Sequence, residues 1–207
     1  MAGEAAAHAL AAVCAAGALL TASLGPVAAP ESAARAPERP AHDAGGAPPA
    51  PAGAAHAAGA PVHLEIGAIG LRARLLPLGL DPEGALAQPP LERTGVAGWY
   101  ALGPAPGDPG AAVITGHRDT RTGPSVFWRL GDLRPGDEIR VRRADGRDAV
   151  FAVRRSERVD KGAFPAEAVY GPVERPEIRL VTCAGAFDHA TGHYERNLIV
   201  YGALARG

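Results

Sequence analysis

Cysteine is almost missing from this 207-residue chain, which has only Cys14 and Cys183. One sits in an apolar N-terminal run and the other far downstream among strand-like residues, so no disulfide framework is expected. Without a nearby Cys-x-x-Cys or His-x-x-x-His partner, two cysteines do not make a structural zinc site either. Lysine and asparagine are rarer still: Lys161 and Asn197 are the only examples. Positive charge is not in excess, since 21 Lys and Arg face 22 Asp and Glu for a net charge of −1. So balanced a chain has no general means of neutralising phosphates, which excludes a strongly basic nucleic-acid binder. The apolar share, 47%, overstates the core, because 26 of the 46 alanines lie in residues 1–60. Each alanine buries little area. The length suits one domain with a tail.

The chain divides into three parts. Residues 5–29 contain no charged side chain and are long enough to span a bilayer. The run is Ala-rich, is interrupted by Gly25-Pro26 and lacks a positive leading segment. Residues 27–29 look like a small-residue cleavage site, but Pro30 follows and disfavours cleavage. Residues 1–29 are therefore expected to be an uncleaved signal anchor. A cleaved signal peptide is the first alternative and a soluble Ala-rich tail the second. Either of the first two puts the remainder at the extracytoplasmic face of the membrane, anchored or secreted. Residues 30–61 hold seven prolines and no large apolar residue. Nothing there offsets chain entropy, so a disordered, partly extended linker is expected. Residues 62–207 form the folded domain.

Within that domain the pattern turns to short apolar runs broken by Gly and Pro. Strands are expected at 62–66, 71–78, 111–115, 138–143, 147–155, 177–182 and 196–201, with one or two helical turns at 125–130 capped by Ser125. Asp145-Gly146 marks a hairpin between the fourth and fifth of these. About eight short strands with few helices mean a mainly β fold, a closed barrel or a sandwich.

Three positions carry chemistry. Cys183 ends a strand in Leu180-Val181-Thr182-Cys183, where a thiol is fixed and accessible enough to act as a nucleophile. Its ordinary alternative is a small buried hydrophobe. His117 follows a buried strand and can serve as general acid or base, with Asp119 either orienting the ring or capping the turn. Arg196 opens the last strand, where a guanidinium can stabilise an oxyanion or dock a carbonyl. Its ordinary alternative is a surface pair with Glu195 or Asp188, and Arg179 is the next guanidinium in line.

Taken together these residues resemble the sortase family. Leu180-Val181-Thr182-Cys183 matches its Leu-x-Thr-Cys strand end, Gly116-His117 its Gly-His pair, and Arg196-Asn197-Leu198-Ile199-Val200 its Arg followed by one residue and three apolar ones. The order His, Cys, Arg, with intervals of 66 and 13 residues, suits the family. Arg179 stands where many members have Thr, and Tyr194-Glu195-Arg196-Asn197 where actinobacterial relatives often have Tyr-Arg-Asp-Asn. The stretches 183–188 and 192–194 look most like class F, then class E. The resemblance implies a closed eight-stranded β-barrel with a few short helices. It implies a cysteine transpeptidase that cuts an LPxTG-like sorting signal through a thioester and passes the protein to a cell-wall precursor amine. Cys183 would be the nucleophile, His117 the acid, Arg196 the oxyanion or substrate donor, with Thr182 a candidate substrate contact and the 159–176 loop lining the groove. The implied partners are sorting-signal-bearing secreted proteins, the peptidoglycan precursor and the membrane. No cofactor is implied, and Glu167 with Glu174 supplies too few oxygen ligands for calcium. An L,D-transpeptidase would need a Ser-His-Gly-Cys run that is absent here. A non-catalytic wall-anchored binding module remains the alternative from another class.

Overall fold

The computed structural model describes residues 59–82 and 85–205. The expected anchor, Cys14 and nearly all of the linker lie outside the described residues. Among the described residues no helix is long and apolar enough to cross a membrane.

Among the described residues ten strands form: β1 (Pro61–Ile66), β2 (Leu71–Leu78), β3 (Val96–Tyr100), β4 (Gly110–Thr115), β5 (Asp119–Thr120), β6 (Gly123–Pro124), β7 (Glu138–Arg143), β8 (Asp148–Asp160), β9 (Pro176–Asp188) and β10 (His193–Leu204). Eight of them close a barrel in the order β1-β2-β3-β4-β9-β10-β8-β7, and β7 pairs back onto β1. The ladders β2–β3 and β4–β9 are parallel and the other barrel ladders antiparallel. The expected mainly β fold with a closed eight-stranded barrel is what the chain adopts.

Alternation explains most of the wall. In β2, Leu71, Ala73 and Leu75 turn inward and Arg72 and Arg74 face solvent. β4 is buried along its whole length, as a strand covered on both faces must be. Inside, Ile114 joins Leu64, Ile66, Phe127, Phe151, Leu180 and Leu198 in the main core. Outside, Val113 packs with Ile199, Tyr201 and Val169. Val169 belongs to α1 (Ala166–Tyr170), a single short helix laid over β4.

Several details differ from expectation. β3 was not foreseen, nor was α1. The strand after the Asp145-Gly146 turn runs on to Asp160, because β10 pairs with it as far as Arg196. Residues 126–129 form turns leading into a 3₁₀ turn at Leu130–Asp132, and the Ser125 hydroxyl donates to the Thr94 carbonyl instead of capping a helix.

Candidate active site

The parallel β4–β9 ladder builds the site. Its last registered pair is Thr115 with Val181. His117 and Cys183 each stand two residues beyond that pair, His117 just past the end of β4 and Cys183 within β9. Two bonds carry the seam past Thr115: the Gly116 N–H donates to the Val181 carbonyl (3.2 Å), and the Thr182 hydroxyl to the Gly116 carbonyl (2.8 Å). Thr182 is 4% exposed. Its hydroxyl is committed to the Gly116 backbone and ties the two strand ends together.

Side chains of a strand alternate between faces, and directly opposed residues share one. Leu180 and Ala184 point into the core, so Cys183 points out. Cys183 opposes Asn197 across β9–β10, and Asn197 opposes Val159 across β10–β8. The row Cys183, Asn197, Val159 thus lies on one outer face, with His117 just past the end of neighbouring β4. The neighbouring row is Ala184, Arg196, Asp160. Arg196 therefore leaves the sheet on the other face from the thiol. Its Nε donates to Asp160 Oδ1 at 2.8 Å, with both side chains at least half exposed. Its aliphatic stem covers Gly185, where a Cβ would meet Arg196 Cγ at 3.2 Å. Gly185, at φ +83°, sits in the bulge that sets this register.

His117 is oriented from a distance. Its Nε2 lies 2.7 Å from the Pro89 carbonyl. A carbonyl only accepts, so Nε2 carries a proton and Nδ1 is left for the chemistry. Asp119 does not orient the ring: it accepts the Tyr194 hydroxyl. Gly116 is required because a Cβ there would lie 2.7 Å from Val126 Cγ1 and 2.8 Å from Phe127 Cδ2.

Burial pushes the Cys183 thiol up from its ordinary pKa; Lys161 and Arg118 pull it down and Asp119 raises it further. The Arg118 guanidinium lies between the rings of Trp128 and Tyr194, 5.2 and 5.1 Å from their centroids, and reaches the Gly185 carbonyl at 3.5 Å. Phe187 packs edge-on against Tyr194. Arg179 takes no part: it is buried, paired with Glu177, and donates to the Ala168 and Ile178 carbonyls. Among the described residues no cluster of three or more His, Cys, Asp and Glu is arranged to hold a metal.

Sequence reading named the histidine and the thiol that stand two residues beyond the last β4–β9 pair. It missed Pro89, Arg118, Lys161 and the neighbour Asn197. Pro89 had no local signal, being 28 residues from His117. Asn197 was visible as the lone asparagine.

Sortase C of Streptococcus pneumoniae is similar in structure, at 21% identity and TM-score 0.54, over 70% of this chain and 66% of that one. Sortase C-1 of Actinomyces oris matches at 22% identity and TM-score 0.54, over 71% and 76%. A sortase D5 transpeptidase of Clostridium perfringens matches at 20% and 0.52, over 71% and 79%. These likenesses show the fold. The chain spans about two thirds of the pneumococcal protein. None of the curated proteins matches in sequence. The Sortase domain family matches residues 64–205, which takes in the whole barrel from Leu64 onward and both strand ends of the site, and the chain belongs to that family.

Proposed function

We propose that this chain is a cysteine transpeptidase acting on an LPxTG-like sorting signal, of class F or the related class E. The class rests on the stretches 183–188 and 192–194. The observation that supports the activity is the β4–β9 ladder, beyond whose last pair His117 and Cys183 each stand two residues. Acyl transfer needs a sulfur nucleophile and a proton donor within reach of one carbonyl, and Cys183 and His117 are groups of those two kinds. The Cys183 Sγ bonds to the threonine carbonyl carbon of the signal. The His117 imidazolium gives its proton to the departing glycine nitrogen as the C–N bond breaks. An amine of the cell-wall precursor then attacks the thioester, gives its proton to the now neutral His117 imidazole, and releases the thiolate. Arg196 docks a substrate carbonyl at the rim. Its pairing with Asp160 is exposed, and such pairs are worth about 0–1 kcal/mol, so a peptide carbonyl displaces the aspartate at little cost. The apolar run 5–29 would hold the enzyme at the outer membrane face, where sorting-signal proteins and precursor meet.

The test is to incubate the full chain with LPxTG and LAxTG peptides and follow intact mass. A thioester adduct on Cys183 is expected, absent from Cys183→Ala. No adduct with either peptide, or one that survives in Cys183→Ala, overturns the proposal.

A further inference from the structure

The row that holds the thiol contains one more polar side chain. Asn197 is the only asparagine in the chain and the direct cross-strand partner of Cys183. Directly opposed residues of an antiparallel pair have Cβ atoms about 4.5–5.5 Å apart. Val159 lies across β10–β8 from Asn197, and Ile199 is two residues along β10. The residue is partly buried, and its carboxamide takes part in no hydrogen bond among the described residues. A half-buried amide without a hydrogen-bond partner among the described residues has its donors left for whatever forms at the thiol. Arg196, which the sequence pattern favours as oxyanion donor, is one row away on the opposite face with Nε on Asp160.

Attack by Sγ converts the carbonyl into an oxyanion on the carbon that sulfur now holds. That oxygen develops beside the thiol on the outer face, one strand spacing from the Asn197 amide. We propose that the Asn197 carboxamide is the oxyanion donor of this site, a catalytic residue additional to His117 and Cys183. The assignment rests on the reading that Cys183 accepts an acyl group. A neutral amide suits the role. It stabilises negative charge on oxygen without drawing a second cation to the thiolate.

The test separates oxyanion formation from thiol reactivity. The full chain is acylated with p-nitrophenyl acetate: the S–C bond forms through a tetrahedral oxyanion and p-nitrophenolate leaves. In parallel, Cys183 is alkylated with iodoacetamide, a displacement at a saturated carbon that makes no oxyanion. Cys183→Ala supplies the background. Asn197→Ala and the isosteric Asn197→Asp should slow the acylation burst by about 10²–10³-fold, the scale for losing one such donor. Asn197→Ala should alkylate at the wild-type rate. Acylation at the wild-type rate in Asn197→Ala overturns the proposal. So does a parallel fall in both reactions, which would mean that Asn197 only holds the thiol. Loss of any Cys183-dependent burst in the unaltered protein overturns it together with the acyl-transfer reading. If the burst behaves as expected but neither LPxTG nor LAxTG peptide yields a thioester, the sorting-signal reading fails and the oxyanion assignment stands.

Discussion

At Cys183, burial holds the thiol protonated and Asp119 adds to that, while Lys161 and Arg118 work the other way. The alkylation rate of Cys183 by iodoacetamide should therefore climb with pH to a midpoint above that of free cysteine, about 8.5. Lys161→Ala should move the midpoint further up and Asp119→Asn down. A midpoint at or below the free value would refute this electrostatic account. The same shift has a thermodynamic face. Folding raises this pKa, so the unfolded thiol loses its proton first, and stability falls as pH rises above about 8.5. Urea melts across pH 7–10 on the native chain and on Cys183→Ala check this: only the native chain should show the added alkaline loss.

At the scale of elements, the seam between β4 and β9 decides whether the two reactive groups keep their places. Thr182→Val keeps the shape of the side chain and removes the donor, leaving the Gly116 carbonyl buried without it. The expected stability loss is about 1–3 kcal/mol. Peptide turnover should fall well below the wild-type level, and Thr182→Ser should restore most of both. Turnover unchanged in Thr182→Val would show that the strand ends stay in place without this bond. Much of the seam was legible in the sequence. β4 and β9 read as apolar runs, Asp145-Gly146 located the β7–β8 hairpin, and the strand ends at His117 and Cys183 were visible. β3 was not legible, because Val96-Ala97-Gly98-Trp99-Tyr100 has no clean alternation and pairs in parallel with β2 across a long loop. Nor was α1, five residues without a side-chain cap, held by Val169 against Val113 and Ile199. The face taken by Arg196 was beyond reach for a different reason. It depends on the bulge at Gly185, and a one-residue change of register exchanges every side chain between faces.

At the scale of the whole molecule, the barrel has no free edge among its eight strands. Phe151 is fully buried in its interior. Phe151→Ala should destabilise the barrel by about 3–5 kcal/mol in a urea melt. It should leave a single transition, with peptide turnover and circular dichroism lost together. Two separate transitions would mean that the site end of the barrel melts on its own. The barrel order divides the strands into two contiguous groups, β1-β2-β3-β4 and β9-β10-β8-β7, joined at two seams. His117 follows the edge strand of the first group and Cys183 lies in the edge strand of the second. On the ribosome the first group emerges whole, with β1 and β4 unpaired along their outer edges until residues 138–205 arrive. The histidine is thus made before its partner, and the thiol emerges only with the second group. A half-made chain has no reactive pair, so the capacity for acyl transfer arises in one step, when the second seam zips shut.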